Sequence, residues 1–157
     1  MSVDQPCRFE CYLPKPRDKV FTLLVDHPER WWQPIAAAAV GDVIETAAIA
    51  PHPGGVCEET SQSGKRKVWG TILSIERPLY VRLAWQLTSR CAPIMDSAAC
   101  SRVMITLRDA GEGTRVEIVH SDFIRHGDDA QACHDLMCSP EGWPSIMKRL
   151  EEAAKSI

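Results

Sequence analysis

The sequence predicts a single α+β domain in which a curved antiparallel sheet of about six to seven strands packs against a long C-terminal helix. Three observations support this prediction. A strand and a helix open the chain, the middle alternates apolar and polar residues as strands do, and an amphipathic stripe begins at Trp143. Because the strands run consecutively between helical segments, an antiparallel sheet is favoured over a parallel one.

The first part of the chain is predicted to form one strand and two short helices. Residues 7–13 alternate as a strand does, and two prolines end the run. Apolar residues at helical spacing follow over residues 20–25, and the helix stops before Pro28, because the residue preceding a proline avoids helical backbone angles. Pro28 can itself open a second, short helix that carries Trp31 and Trp32.

Six more strands are predicted in the middle of the chain, where alternating runs are separated by turn residues. Strict alternation in the run that contains Trp69 places Gly70 and Ile72 on one face and Trp69 and Thr71 on the other. The most regular pair of strands flanks the glycine-rich turn at residues 109–113. The six runs are residues 42–50, 56–60, 67–76, 81–87, 102–108 and 115–120.

Two helical segments close the chain. Asp128 or Asp129 can cap a short helix that runs to about Met137. From Trp143 to Ile157 apolar residues recur at helical spacing, with charged residues on the opposite face. This amphipathic stripe predicts the long helix that packs on the sheet.

Length and charge limit the possible functions. A domain of 157 residues buries about two-thirds of the surface of its unfolded chain, so it needs neither a metal nor a disulfide to fold. The formal net charge is −3, and the dense basic cluster at residues 65–67 is expected at a hairpin tip. Nucleic-acid binding needs a broader positive face and is not predicted.

The sequence predicts a cytoplasmic protein. The first six residues carry an acid and a proline in place of the basic start and apolar run of a secretory signal. Residues 33–41 are alanine-rich and are predicted to be mostly loop. They contain the longest aliphatic run, residues 35–40, which is far too short to cross a bilayer, so no membrane contact is predicted.

The seven cysteines do not predict a disulfide framework. Their number is odd, the chain is long, and in a reducing compartment a free cysteine behaves as a small buried hydrophobic residue. Cys91 and Cys100 flank one irregular stretch and are the pair that could form a disulfide on oxidation.

No metal or cofactor is predicted. His126, Cys133, His134 and Cys138 lie near one another in the sequence, and the last two would share a helix face. Zinc sites usually show the closer CxxC or HExxH spacings, which are absent. The motifs of nucleotide-binding loops and of serine hydrolases are absent as well.

Five tryptophans are the candidate walls of a pocket. Each combines a broad apolar ring with one N–H donor, which suits a site for a mostly apolar ligand. The same residues could instead be core packing. That interpretation is favoured for Trp85, which shares its strand face with Val81 and Leu83.

His120 is the candidate polar contact in such a pocket. By strand alternation it points inward with Val116 and Ile118. It could bind a ligand oxygen or move a proton, and it could equally be a core histidine bonded to the backbone. Glu58 and Glu59 have opposite parity, so one of them could face the interior and contact a ligand or His120.

Several short motifs stand in an order that resembles one protein superfamily. They are Trp31-Trp32, Gly54-Gly55, Trp69-Gly70, Glu76-Arg77-Pro78, Leu83-Ala84-Trp85, Gly113-Thr114-Arg115-Val116-Glu117, His120, Arg125-His126-Gly127-Asp128-Asp129 and Gly142-Trp143. Together they resemble the SRPBCC (START-like) superfamily, and in particular the group named after the C-terminal domain of the heat-shock-protein-90 ATPase activator. The resemblance extends from Val20 to Leu150.

The resemblance implies the helix-grip fold, in which the sheet wraps around the C-terminal helix and leaves an internal cavity. It does not imply a reaction, because relatives include lipid and hormone carriers, aromatase/cyclases, ring-hydroxylase subunits and co-chaperone domains.

The predicted function is therefore the binding of a small hydrophobic or aromatic molecule in that cavity, by a monomer or a homodimer. One alternative is a chaperone-associated protein-interaction domain. A second alternative is a cyclase- or aromatase-type enzyme that uses His120 as its acid or base. The expected ligand-binding residues are Trp31, Trp32, Trp69, Trp85, His120, Phe123, Trp143 and Met147.

Overall fold

The fold is built on one antiparallel sheet, within the residues 2–33 and 43–157 that a computed structural model describes. Its strands are β1 (Cys7–Leu13), β2 (Ile44–Ile49), β3 (Val56–Ser61), β4 (Arg66–Glu76), β5 (Tyr80–Trp85), β6 (Ser101–Ala110) and β7 (Gly113–Ser121). Their order is β1-β7-β6-β5-β4-β3-β2, so the first strand pairs with the last. All but the first residue of the loop predicted over residues 33–41, and the strand start predicted at Asp42, lie outside the described residues.

The helices lie before and after the strand-rich part of the chain. They are α1 (Arg17–Asp26), α2 (Ala130–Cys138) and α3 (Trp143–Ala154), with 3₁₀ turns at Pro28–Arg30, Ser97–Ala99 and Phe123–Asp129. The sheet curls into a half-barrel, and α3 buries its apolar stripe in the core. This is the predicted helix-grip fold, and the prediction is confirmed. No helix in the described part of the chain is long and apolar enough to cross a membrane.

The alternation predicted for β4 is interrupted at Trp69. Two consecutive residues of β3 pair with Gly70 and Val68, which leaves Trp69 between them as a bulge. The extra residue changes the side-chain parity of the strand, so Trp69 and Ile72 are both buried in the core. The prediction that placed them on opposite faces was wrong, because it assumed unbroken alternation.

One disulfide joins the first strand to the second helix. It links Cys7 in β1 to Cys138 at the end of α2, with the two Cα atoms 5.5 Å apart. The sequence does not predict this bridge, because 131 residues separate its members and only tertiary packing brings them together. Cys91 and Cys100, the pair considered from the sequence, are free and buried.

Candidate functional site

A cluster of tryptophan rings fills the space between the sheet and α3. The rings of Trp32 and Trp69 stack, with their centroids 3.9 Å apart and their planes 6° apart. Trp85 lies 5.8 Å from Trp32 and 5.9 Å from Trp69, and Trp143 lies 5.3 Å from Trp85. Trp31 meets Trp32 edge-on at 6.1 Å. All five rings are buried, and we refer to them as the tryptophan cluster.

Different elements position the members of the tryptophan cluster. Trp69 is the bulged residue of β4, Trp85 ends β5, and Trp143 is the first residue of α3. Trp31 and Trp32 follow the 3₁₀ turn at residues 28–30 and belong to neither helix nor strand. Three rings are therefore held by regular elements, and two are held by an irregular segment.

The space left inside the tryptophan cluster is small. A cavity of about 10 Å³ remains among the rings, which is room for about one water molecule. In the part of the chain that the structure describes, the side chains that would line the predicted pocket fill it. The other lining residues are Leu24, Val25, Ile49, Val81, Leu83 and Ile105.

The indole N–H groups differ in their hydrogen bonding. Trp31 Nε1–H donates to the Leu24 carbonyl at 3.1 Å, and Trp32 Nε1–H donates to Glu59 Oε1 at 3.2 Å. Trp69 Nε1–H is buried without an acceptor among the described residues. A buried donor without a partner costs about 1–3 kcal/mol, so this N–H is unfavourable for folding and available to an acceptor.

Glu59 is the carboxylate that faces the interior. It is 4% exposed, whereas Glu58 pairs with Arg66 at the surface. The sequence leaves open which of the two points inward, and the structure selects Glu59. Its hydrogen-bond partner is Trp32 rather than His120.

A directional chain of hydrogen bonds runs through His120. Trp143 Nε1–H donates to His120 Nδ1 at 2.9 Å, so this nitrogen is unprotonated and Nε2 carries the hydrogen. His120 Nε2–H donates to Ser101 Oγ at 2.6 Å. The Ser101 hydroxyl and backbone N–H both donate to His126 Nε2, at 2.8 and 3.1 Å. The proton of His126 is therefore on Nδ1, which is buried and has no partner among the described residues.

Burial keeps both imidazoles neutral. Complete burial, with smaller contributions from His126 and His134, lowers the pKa of His120 well below 6.5. Burial also lowers the pKa of His126, and nearby Asp129 opposes that change. Neutral rings match the hydrogen-bond chain, because each ring uses one unprotonated nitrogen as an acceptor.

The other predicted contact residues lie beside the tryptophan cluster. Phe123 stacks on His120 with the ring centroids 4.2 Å apart, and Met147 is buried on α3. His120, Phe123 and Met147 do not line the small cavity. His120 is fully buried and both of its nitrogens are bonded, so an acid–base or ligand-contact role stays a prediction that this geometry does not favour.

The sequence-based reasoning missed the partners of His120. Ser101 opens β6 one residue before the predicted start. In the β6–β7 pairing, Val103 lies opposite His120. His126, considered from the sequence as a metal ligand, instead accepts hydrogen bonds from Ser101. The available signal was the register of the β6–β7 hairpin, because extending the predicted β6 by one residue brings Ser101 close to His120.

Comparisons with known proteins agree on the family and the fold. The profile of the family described as "Activator of Hsp90 ATPase homolog 1-like protein" matches residues 14–155. A search of curated protein sequences found no significant match.

Solved structures share the fold over nearly their whole length. A protein of Nitrosomonas europaea has 17% identity and a TM-score of 0.68, with 99% of this chain and 97% of that chain covered. The anthrahydroquino-γ-pyrone synthase Txn09, solved in complex with the compound SUM, has 25% identity and a TM-score of 0.68, with 98% and 99% covered. The Aha1 dimer of Colwellia psychrerythraea has 15% identity and a TM-score of 0.62, with 96% of each chain covered.

The resemblance found in the motifs is confirmed by these comparisons. The profile spans most of the sequence, and the structural neighbours share the curled sheet and the C-terminal helix. The chain therefore belongs to the Activator of Hsp90 ATPase homolog 1-like family of the SRPBCC superfamily.

Proposed function

We propose that the protein binds a small planar aromatic molecule, which takes the place of the Trp32 ring on the face of Trp69. The observation that supports this most directly is the parallel stack of these two rings at 3.9 Å. Trp32 already occupies, as a flat aromatic ring, an apolar position of the kind that aromatic ligands prefer. Because the cavity measures about 10 Å³, the ligand enters only when Trp32 leaves.

Of the two stacked rings, Trp32 is better able to move than Trp69. Its residue lies in neither a helix nor a strand, whereas Trp69 and Trp85 lie on central strands of the sheet and Trp143 begins α3. Displacing Trp32 requires the loss of one hydrogen bond, to Glu59, and of the contacts of its ring. Moving a ring of the sheet would disturb the strand pairing on both sides.

The polar groups around the stack define the chemistry of the ligand. Trp69 Nε1–H has no acceptor in the described part of the chain, and the Glu59 carboxylate would lose its donor when Trp32 leaves. A hydroxyl group on the aromatic ring can accept from an N–H and donate to a carboxylate. We therefore propose a hydroxylated, planar aromatic ligand. The 25% identity to an anthrahydroquino-γ-pyrone synthase supports the same class.

The experiment is to remove the displaced ring and measure binding of 1-naphthol by isothermal titration calorimetry. Trp32→Ala opens the site in advance, so the variant should bind 1-naphthol about tenfold more tightly than the wild type, a gain of about 1.4 kcal/mol. Naphthalene, which lacks the hydroxyl, should bind the variant more weakly than 1-naphthol does.

The matched control is Phe21→Ala, which removes a fully buried aromatic ring of α1 that does not line the cavity. This variant should bind 1-naphthol no better than the wild type. Both variants are expected to lose about 3–5 kcal/mol of stability, and circular dichroism verifies that each is folded. If folded Trp32→Ala binds neither compound, the proposal is wrong.

A chaperone-associated role is the second candidate, and the family match supports it. It predicts that the protein binds a heat-shock-protein-90 chaperone at micromolar concentration and stimulates its ATPase. The absence of binding in that range would exclude this role. A homodimer is compatible with the dimeric neighbour from Colwellia psychrerythraea, and light scattering on a sizing column distinguishes it from a monomer.

A further inference from the structure

Two cysteines and a histidine meet where β1 packs on α2. Cys7 begins β1, while His134 and Cys138 lie four residues apart on α2 and share a helix face. The ligand atoms of the three side chains lie within 4.8 Å of one another. His134 Nε2 is 3.6 Å from Cys138 Sγ, which is bonded to Cys7 Sγ. None of these residues belongs to the tryptophan cluster.

The imidazole of His134 has the orientation of a metal ligand. Its Nδ1 lies 3.3 Å from a carboxylate oxygen of Asp135. An ionised carboxylate only accepts hydrogen bonds, so Nδ1 carries the proton and Nε2 presents its lone pair to the Cys138 sulfur. Histidines that bind metals commonly donate their other ring N–H to a carboxylate in this way, which fixes the tautomer.

With the disulfide formed, this lone pair has no hydrogen-bond donor among the described residues. A disulfide sulfur carries no hydrogen, and the contact that Nε2 makes is with Cys138. His134 is 0% exposed, so bulk water does not contact its ring while the disulfide is present. A buried acceptor without a donor is unfavourable, and a disulfide by itself has no need of an adjacent imidazole. A cation held between Nε2 and two thiolates would satisfy the lone pair.

We propose that Cys7, His134 and Cys138 form a redox-gated site for a divalent, zinc-like metal ion: the reduced cysteines bind the ion together with His134, and the disulfide excludes it. In a tetrahedral zinc site, sulfur and nitrogen ligand atoms are about 3.6 Å apart and two sulfurs about 3.8 Å apart. The 3.6 Å between His134 Nε2 and Cys138 Sγ already fits, and reduction frees the second sulfur to separate.

Access and coordination number also fit such a site. Cys138 is partly exposed, so an ion can enter from its side. Three protein ligands leave the fourth tetrahedral position open for water. The two cysteine thiolates and the neutral imidazole are ligands that zinc prefers, and they would carry two negative charges against the two positive charges of the ion.

The exchange between the two states is ordinary thiol chemistry. A dithiol reductant gives two electrons and two protons to the sulfur–sulfur bond and becomes a cyclic disulfide, which leaves two protein thiols. Binding of the metal ion to these thiols releases two protons. In reverse, one molecule of hydrogen peroxide takes two electrons from the thiolates and two protons from solvent, and forms two molecules of water. The two sulfurs then bond to each other and the metal ion leaves.

Cobalt(II) is the probe for the experiment, because it occupies zinc sites and absorbs in the near ultraviolet when thiolates bind it. The full chain, reduced with a phosphine and freed of reagent, should bind one cobalt ion with a thiolate-to-cobalt absorption band, and zinc should abolish the band by displacement. The disulfide form should show no band, and one equivalent of hydrogen peroxide should remove the band from the reduced, loaded protein.

Variants show whether these three residues are the ligands. Cys138→Ser and His134→Gln should each weaken cobalt binding about tenfold or more. Cys11→Ser removes a free cysteine of the same strand β1 and should bind cobalt as the wild type does. Circular dichroism verifies the fold, and Cys7→Ser replaces His134→Gln if the buried substitution unfolds the chain. A folded, reduced wild type without the band, or Cys138→Ser with wild-type affinity, would overturn the proposal.

Discussion

At the scale of single residues, the series of hydrogen bonds from Trp143 through His120 and Ser101 to His126 determines which nitrogen of each imidazole carries the hydrogen. The indole N–H of Trp143 and the backbone N–H of Ser101 can only donate. Their acceptors, His120 Nδ1 and His126 Nε2, are therefore both unprotonated. A proton added to His120 would place a charge in a fully buried position and turn an acceptor into a donor that faces the Trp143 N–H.

His120 should therefore make stability depend on pH. Because its pKa is lower in the folded protein than the unfolded value of about 6.5, the free energy of unfolding is greatest above that pH. It falls as the pH drops below about 6.5 toward the folded pKa, by up to about 1.4 kcal/mol per pH unit for one proton. Urea denaturation between pH 5 and 8 measures this slope.

The variant that tests this prediction is His120→Asn, whose amide keeps an acceptor and a donor but does not titrate. It should be less stable than the wild type at neutral pH and should show a flatter dependence below pH 6.5. His27→Asn changes an exposed histidine and should keep the wild-type slope. An unchanged slope in His120→Asn would contradict the assignment.

At the scale of elements, the junction between α2 and α3 positions both sites. α2 carries His134 and Cys138, and α3 begins with Trp143. Between them Gly142 lies so close to the last turn of α2 that a Cβ atom would collide with the backbone carbonyl oxygens of Leu136 and Met137. Glycine is therefore required here by close approach of the backbone, not by a left-handed conformation.

Gly142→Ala should push α3 away from α2 and destabilise the protein by about 1–3 kcal/mol, the usual cost of overpacking. Glu141→Ala, at the exposed neighbouring position, should change stability by no more than about 0.5 kcal/mol. The urea midpoint of each variant provides the comparison. Equal midpoints for the two variants would show that the junction tolerates the extra methyl group.

At the scale of the whole molecule, the tryptophan cluster connects parts of the chain that are distant in sequence. It joins the segment after α1, the central strands β4 and β5, and the start of α3. Loss of packing at any of these elements exposes rings that the others hold. The disulfide adds a second connection, between the edge strand β1 and α2.

We therefore expect the oxidised protein to unfold in one cooperative transition. Tryptophan fluorescence reports on the cluster and far-ultraviolet circular dichroism on the sheet and helices, and the two curves in urea should have the same midpoint. Fluorescence that changes at a lower urea concentration would show that the cluster opens before the sheet unfolds. That result would contradict the prediction, although it would favour a mobile Trp32.

Much of the fold was predictable because it depends on local periodicity. Alternating runs predict β7 with its inward His120, and a 3.6-residue stripe predicts α3, since each pattern involves residues that are neighbours in sequence. The antiparallel order follows from consecutive strands. The motif order was sufficient to indicate the family. The same alternation left two candidates for the inward-facing carboxylate, Glu58 and Glu59, and the buried one is Glu59.

Tertiary contacts determined the rest, because they join residues that no local pattern relates. The bulge at Trp69 depends on how β4 meets β3, and it reverses the parity that alternation predicts. Ser101 and His126 are 25 residues apart and Cys7 and Cys138 are 131 apart, so their meeting depends on strand register and helix packing. The sequence indicates five tryptophans as candidate pocket residues. Only their packing in the folded protein shows that their rings fill the space that the pocket would occupy.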